Sequence, residues 1–157
     1  MFEASIKRTY PMTVAFISMR GPYAQIPAAF GRLYAWIAER AMMPMGMPAG
    51  VYLCDPATTP EAEATWELWA PIADGTPPFD TDDSSIGVKA IPAGTVASAM
   101  HKGPYDEIAP TYEALAAWII ENGYIVAGAP REIYYSDPDE VAIEDTLTEV
   151  QFPVQSA

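Results

Sequence analysis

Histidine and cysteine are almost missing from this sequence, which contains one of each, His101 and Cys54. A single cysteine cannot form an internal disulfide, and a zinc site of cysteines and histidines needs several of them. Any site that requires two histidines is excluded in the same way. Because so little cysteine suits a reducing compartment, we expect a cytoplasmic location.

Basic residues are also scarce, since 8 lysines and arginines stand against 21 aspartates and glutamates, giving a formal net charge of -13. Such a chain repels phosphate backbones and anionic lipids, so we expect no direct binding to nucleic acid or membranes. The sequence has no run of 18 apolar residues, no glycine-rich phosphate loop and no dinucleotide fingerprint. We therefore expect no membrane-spanning helix, no metal and no cofactor.

Apolar side chains, in contrast, are plentiful. Of the 157 residues, 50% are hydrophobic and 11% are aromatic, while 18% are charged. A chain of this length and composition can bury enough apolar surface to offset the entropy lost on folding. We therefore expect a single domain that covers residues 1–157.

The sequence repeats itself once. A shift of 82 residues without a gap aligns the stretch 7–71 with 89–153, and roughly 20 positions are identical. The identical pairs include Gly21/Gly103, Pro22/Pro104, Tyr23/Tyr105, Trp36/Trp118, Tyr52/Tyr134 and Glu67/Glu149. Because a long unit that occurs twice does not suit a solenoid, we expect two halves related by a pseudo-two-fold axis. Repeat one covers about residues 1–72, a polar linker about 73–85, and repeat two about 86–157.

Each repeat predicts a strand, a helix and two further strands. The β-prone stretches are 13–19, 51–54 and 65–72 in repeat one and 95–101, 133–136 and 146–154 in repeat two. After the first strand, apolar residues recur in steps of four, three and four, which predicts a helix with one buried face. These residues are Ile26, Phe30, Leu33 and Ile37, and Ile108, Tyr112, Leu115 and Ile119. The predicted fold is α+β, a duplicated β-α-β-β unit forming an antiparallel sheet with both helices on one face and a ligand cleft between the halves.

Two glutamates recur at equivalent positions, Glu67 in repeat one and Glu149 in repeat two. Strand alternation places each glutamate on the face opposite to its apolar neighbours. The aromatic residues Trp69, Tyr52 and Tyr134 belong to the same predicted sheet. Because a carboxylate among aromatic rings attracts apolar cations, these residues form the predicted ligand site, with a solvated strand surface as the alternative interpretation.

The motif Gly-Pro-Tyr follows the first strand of each repeat and contains Tyr23 and Tyr105. It is typical of a tight turn between a strand and a helix, in which the tyrosine packs. The functional alternative is a tyrosine hydroxyl that points into the ligand site as a hydrogen-bond donor or proton relay. His101 lies just before this motif in repeat two, and because its counterpart is Met19 we expect it to pack rather than to catalyse.

The order of these motifs resembles a known family. The sequences at 101–105 (HKGPY), 131–134 (REIY) and 148–154 (TEVQFPV), together with Trp118 and the duplication, are similar to the GyrI-like domain. That domain is also the ligand-sensing half of AraC-type and MerR-type regulators. The resemblance implies a pocket between the repeats in which a glutamate on a late strand meets cationic aromatic drugs. Glu149 matches that strand, and Glu67 is its equivalent in repeat one.

This resemblance predicts a free-standing protein that binds aromatic, cationic small molecules in sensing or sequestration. No helix-turn-helix accompanies the domain, so direct transcription control is not expected. Two alternatives stay open. One is a cofactor-free hydrolase of cyclopropane-type electrophiles, in which Glu149 or Glu67 activates water and Tyr105 supports the departing oxygen. The other is a modulator that binds a protein partner such as gyrase.

Overall fold

The computed structural model describes residues 3–54, 58–77, 85–104, 107–136 and 141–157. These residues form two α-helices, α1 (Ile26–Glu39) and α2 (Ala109–Glu121). They also form nine strands: β1 (Ala4–Arg8), β2 (Met12–Arg20), β3 (Ala49–Tyr52), β4 (Thr65–Ile72), β5 (Ile86–Ile91), β6 (Thr95–Lys102), β7 (Tyr124–Val126), β8 (Arg131–Tyr134) and β9 (Leu147–Ser156). No helix in these residues is both long enough and apolar enough to cross a membrane.

The chain forms two compact units whose boundaries differ from those of the sequence repeats. Unit 1 contains residues 1–9 and 94–157, and unit 2 contains residues 10–93. Unit 1 therefore includes β1, α2 and the strands β6 to β9, whereas unit 2 includes α1 and the strands β2 to β5. The first strand of each repeat is thus exchanged, because β1 lies with repeat two and β5 lies with repeat one.

The strands of both units pair in the antiparallel sense and in the same order. In unit 1 the order is β1-β6-β9-β8, and β7 pairs with the end of β9. In unit 2 the order is β5-β2-β4-β3. The register is equivalent too, since Lys7 lies opposite Val96 and Lys89 lies opposite Val14. The predicted α+β class, with antiparallel sheets built from a duplicated unit, is confirmed.

Each unit buries one face of its sheet against its own helix. The core of unit 2 joins α1 to β2 and β4 and includes Ala15, Ile17, Leu33, Ile37, Trp66 and Leu68. The equivalent core of unit 1 joins α2 to β6 and β9 and includes Ala97, Ala99, Leu115, Ile119 and Val150. Removing apolar surface from water stabilises a protein by about 25 cal/mol per Å², so these faces are a main source of folding free energy.

The helical periodicity predicts the buried positions well. Leu33, Ile37, Leu115 and Ile119 each expose at most 1% of their surface. Ile26 and Ile108 pack against the same cores but are only half-buried. Ile26 begins α1 and Ile108 directly precedes α2, so neither has a full helical turn before it to cover its side chain.

The sequence pattern does not predict three of the strands, β1, β5 and β7. β1 (ASIKR) and β5 (IGVKAI) are short and carry charge, and each pairs with a strand of the other repeat. Local propensity is a weak guide to such a strand because its stability depends on the distant partner. The complete unit is therefore β-β-α-β-β, with the leading strand exchanged.

Candidate functional site

The sheet of unit 1 has one face against α2 and one face turned away from this helix. Side chains alternate between the two faces along β8 and β9. Glu132 lies opposite Val150, which packs against α2, so Glu132 is on the helix face. Ile133 lies opposite Glu149, so Glu149 is on the other face. Each face of this sheet therefore carries one buried glutamate.

Two tyrosine hydroxyls hold the carboxyl group of Glu132. The Tyr112 hydroxyl, on α2, donates to Oε2 at 2.5 Å, and the Tyr134 hydroxyl, at the end of β8, donates to Oε1 at 3.2 Å. Glu132 is 8% exposed. Within the part of the chain that the structure describes, no lysine or arginine forms an ion pair with it. Glu132 is thus a buried carboxyl group with neutral hydrogen-bond partners.

These surroundings disfavour the charged form of Glu132. Burial raises the pKa of its carboxyl group, and the opposing effects of the hydrogen bonds from Tyr112 and Tyr134 and of the His101 charge do not cancel this increase. A buried carboxylate is costly unless it is paired with positive charge. A cation that approached Glu132 would therefore stabilise its ionised form.

Polar side chains on the neighbouring strands extend this region. Thr148, in β9, is the register partner of both Tyr134 and His101. Its Oγ1 atom is buried and accepts or donates no hydrogen bond among the described residues. Leaving a buried hydroxyl unsatisfied costs about 1–3 kcal/mol, so this atom is an unused hydrogen-bonding group beside Tyr134 and His101.

His101 connects β6 to the turn that follows and to α2. Because a carbonyl group only accepts, the imidazole Nε2 donates to the Pro104 oxygen at 2.8 Å. The Thr111 hydroxyl lies 3.4 Å from Nδ1. His101 is buried, and both ring nitrogens have partners. This arrangement agrees with the packing role that its position in the repeat predicts.

Unit 2 lacks this polar region. The equivalent residues, 82 positions earlier, are Met19 for His101, Ala29 for Thr111, Phe30 for Tyr112, Gly50 for Glu132 and Trp66 for Thr148. Trp66 is 1% exposed and fills its part of the core. The duplication therefore provides an internal comparison, in which one copy has a packed apolar face and the other has a buried carboxyl group.

We call the set Glu132, Tyr112, Tyr134 and Thr148 the Glu132 site.

On the opposite face of unit 1, Glu149 is paired with a lysine. Lys7, in the exchanged strand β1, forms an ion pair with Oε2 of Glu149. Ser98 and Gln151 donate to the same oxygen at 2.7 and 2.8 Å, and the Tyr135 hydroxyl donates to Oε1 at 2.5 Å. The Glu149 side chain is 3% exposed. Its carboxylate is therefore enclosed by four donors from its own unit.

These donors keep Glu149 charged. Burial alone would raise the pKa of Glu149, but its hydrogen bonds and the ion pair outweigh burial and lower the pKa to about 2. Burial and the adjacent carboxylate raise the pKa of Tyr135 to about 12. A cavity of about 290 Å³ lies next to Ser98 and is lined by residues 3–5 and 98–100. Glu149 is not part of this lining.

Glu67 has the equivalent partner in unit 2. Lys89, in the exchanged strand β5, places Nζ 2.6 Å from Oε1 of Glu67. The indole of Trp69 donates to the same oxygen at 2.9 Å. Both glutamates that recur in the repeat therefore already form an ion pair with a lysine, whereas Glu132 forms no ion pair among the described residues.

A comparison with protein families gives a match over nearly the whole chain. The sequence model of the GyrI-like small molecule binding domain matches residues 2–155. The chain belongs to the GyrI-like family. It is therefore a small-molecule-binding domain, as the order of its motifs predicts.

Individual relatives agree with this assignment. A protein from Erwinia billingiae named DNA gyrase inhibitor is 29% identical over 156 residues, which cover 97% of this chain and 96% of that protein. The C-terminal domain of EcmrR is similar in structure, with a TM-score of 0.79, 23% identity and coverage of 100% of this chain and 99% of that domain. In the complex of EcmrR with DNA, this chain matches 58% of the longer EcmrR chain. SAV2435, solved with tetraphenylphosphonium bound, has a TM-score of 0.62, 13% identity and coverage of 98% and 94%.

The predicted ligand residues of this GyrI-like domain lie on different faces. Glu67 and Trp69 are together on the face of the unit 2 sheet that is turned away from α1, because Leu68 between them packs in the α1 core. Glu149 is on the corresponding face of unit 1. Tyr134 lies on the helix face, where it contacts Glu132 rather than Glu149.

The two predicted ligand tyrosines of unit 2 also lie on the helix side. Tyr52 and Tyr23 pack edge to face, with their ring centroids 5.5 Å apart, against the α1 core. The Tyr23 hydroxyl is 4.0 Å from the Cys54 sulfur. Tyr105 lies outside the described residues. Among the described residues, no group of three or more histidine, cysteine, aspartate or glutamate side chains could hold a metal ion.

Sequence reasoning does not select Glu132 and Tyr112. It favours residues that recur between the repeats, whereas Glu132 replaces Gly50 and Tyr112 replaces Phe30. The difference between the repeats is the signal that could have identified them. A polar residue in one repeat, where the other repeat has an apolar residue or glycine, is not explained by core packing alone.

Proposed function

We propose that this GyrI-like domain binds an aromatic, cationic small molecule at the Glu132 site and acts in sensing or sequestration. The observation that carries the proposal is the set of partners of Glu132. Its carboxyl group is buried and accepts hydrogen bonds from two neutral tyrosines, without an ion pair among the described residues. Glu67 and Glu149 are each paired with a lysine.

The physical chemistry of the site favours a cation with a large apolar surface. A positive charge near Glu132 removes the cost of a buried unpaired carboxylate, which is the cost that raises its pKa. The rings of Tyr112 and Tyr134 are attached to the hydroxyls that contact Glu132, and an aromatic ring attracts a cation that reaches its face by about 0.5–2 kcal/mol. The buried Thr148 hydroxyl offers one further polar contact.

The relatives support the same ligand class. SAV2435 has been solved with tetraphenylphosphonium, a cation that carries four aromatic rings and no hydrogen-bond donor. Because this cation has no hydrogen to donate to a protein acceptor, its recognition depends on its charge and on contacts with its rings. The Glu132 site contains a carboxyl group and two tyrosine rings, which are groups of the kind that such recognition needs.

The test is a calorimetric titration of the protein with tetraphenylphosphonium. We expect the Glu132→Gln variant to bind at least tenfold more weakly, because the amide has the shape of the carboxyl group without its charge. Triphenylphosphine oxide, which is aromatic and neutral, should bind wild type and Glu132→Gln with similar affinity.

A matched control separates the site from overall charge. Glu113 is an exposed glutamate on α2, one residue from Tyr112, and Glu113→Gln changes the net charge by the same amount. This control should leave the affinity for tetraphenylphosphonium unchanged. Equal affinity of wild type and Glu132→Gln would refute the role of Glu132 in cation binding.

A further inference from the structure

The ion pair in unit 2 lies next to two aromatic rings. Lys89 Nζ is 2.6 Å from Glu67 Oε1, 4.3 Å from the ring centroid of Phe16 and 5.6 Å from that of Trp69. The Trp69 indole donates to the same carboxylate oxygen. A carboxylate with two ring faces around one ammonium group is the arrangement by which proteins recognise alkylammonium ligands.

The equivalent ion pair in unit 1 lacks these rings. Lys7 and Glu149 occupy the positions of Lys89 and Glu67, but Ser98 stands in place of Phe16 and Gln151 in place of Trp69. Ser98 and Gln151 both donate hydrogen bonds to Glu149. The same lysine–glutamate pair is therefore held by hydrogen bonds in one unit and by aromatic rings in the other.

We propose that Glu67, Phe16 and Trp69 form a second cation site, specific for small alkylammonium ions, which Lys89 occupies as a tethered ligand. We call these three residues the Glu67 cage. A tethered ammonium group acts at a high effective concentration, so a free cation competes poorly with it. Lys89 therefore determines the specificity of the cage by keeping other cations out of it.

The Lys89 side chain is the most exposed part of this arrangement. It is 35% exposed, the Glu67 side chain is 15% exposed, and Phe16 and Trp69 are buried, so we expect removal of the lysine to open the cage from the side that Lys89 occupies. The Lys89→Ala change removes three methylene groups and the ammonium group, which together correspond to n-propylammonium. That ion can occupy the space of the lost atoms and restore the contacts with Glu67 and the two rings.

The experiment titrates Lys89→Ala with n-propylammonium chloride and follows the NMR signal of the Trp69 indole N–H, which contacts Glu67. We expect saturable binding with a dissociation constant on the order of millimolar, as suits a ligand of four heavy atoms. The double variant Lys89→Ala, Glu67→Gln should bind at least tenfold more weakly, and neutral 1-propanol should produce no saturable shift.

Unit 1 provides the matched comparison for the rings. Lys7→Ala exposes a carboxylate surrounded by hydrogen-bond donors, and we expect it to bind n-propylammonium more weakly than Lys89→Ala does. Equal binding by the two variants would overturn the role assigned to Phe16 and Trp69.

Folded Lys89→Ala that shows no saturable shift at Trp69 would overturn the proposal. If Lys89→Ala does not fold alone, n-propylammonium must restore its far-ultraviolet circular dichroism, and failure to do so overturns the proposal equally. Neither result depends on Glu132, so this inference can fail while the proposed function stands.

Discussion

Three buried or half-buried glutamates in this protein differ in the positive charge next to them. Glu149 has Lys7 and three further hydrogen-bond donors, and Glu67 has Lys89 and an indole. Glu132 has two tyrosine hydroxyls. Because the cost of burying a carboxylate depends on its counter-ion, the same side chain serves as a stabilising ion-pair partner at two positions and as a candidate receptor for an external cation at the third.

The charge of Glu149 makes the stability of the fold depend on pH. Its pKa is lowered in the folded state from 4.5 to about 2, so its contribution to stability is present above about pH 4.5 and is lost as the pH falls towards 2. That shift corresponds to roughly 3 kcal/mol, since one pKa unit is 1.36 kcal/mol. We expect Glu149→Gln to lower the free energy of unfolding at pH 7, as measured by urea denaturation. The two proteins should converge near pH 2, and a difference that does not depend on pH would contradict this assignment.

The contribution of Glu132 to folding stability depends on pH in the opposite direction. Its pKa is raised by burial, so the folded state prefers the protonated form, and the ionised form reduces stability as the pH rises through the folded pKa. We expect Glu132→Gln to be at least as stable as wild type at pH 8, with a smaller difference at pH 4. Urea denaturation at the two pH values measures this. If Glu132→Gln loses stability relative to wild type between pH 4 and pH 8, the charged form of Glu132 is already stabilised by its surroundings, which would contradict this prediction.

At the scale of elements, the exchanged strands explain how both lysines reach their carboxylates. β1 and β5 start the two repeats, but β1 pairs with β6 and β5 pairs with β2. Each therefore carries its lysine into the sheet that contains the glutamate of the other repeat. The exchange ties β1 into unit 1 through its backbone pairing with β6 and through the ion pair between Lys7 and the buried Glu149.

Replacing either lysine by the neutral residue methionine leaves a glutamate without its counter-ion. Lys7→Met leaves the 3% exposed Glu149 without its cation, whereas Lys89→Met leaves the 15% exposed Glu67 without its own. The more deeply buried carboxylate is the more costly to leave without a counter-ion, so we expect Lys7→Met to be the more destabilised variant. Thermal unfolding measures the difference.

The location of the destabilised strands in Lys7→Met tests whether β1 pairs with the other repeat. Although Lys7 belongs to sequence repeat one, hydrogen exchange in Lys7→Met should accelerate in β6 and β9 of unit 1. Acceleration confined to β2 and β4 would mean that β1 pairs within its own repeat in solution.

At the scale of the whole molecule, the formal charge of -13 is an unfavourable term for the compact state. Dissolved salt screens repulsion between exposed charges, with a Debye length of about 10 Å at 0.1 M, and acts less on the buried ion pairs. We therefore expect the urea midpoint at pH 7 to rise between roughly 10 and 200 mM sodium chloride. A falling midpoint would mean that exposed ion pairs outweigh the net repulsion.

The sequence alone determined the family, the α+β class and most of the core. The 82-residue duplication and the order of its motifs predict the repeated unit, because recurrence does not depend on tertiary context. The steps of four, three and four predict both helices and the buried positions Leu33, Ile37, Leu115 and Ile119. Gly21 and Gly103 occur where the predicted turns need unusual backbone angles, and both have a φ of +119°.

Only the tertiary structure decided which glutamate lacks a cation. Strand alternation assigns a face to each glutamate, but the charge that lies next to it comes from a strand about 140 residues away for Glu149 and about 20 away for Glu67. No local pattern reports such a partner. Packing also brings the Tyr112 hydroxyl, on α2, to Glu132 in β8. The Tyr134 hydroxyl is different, because its residue is two positions from Glu132 on the same strand and therefore on the same face.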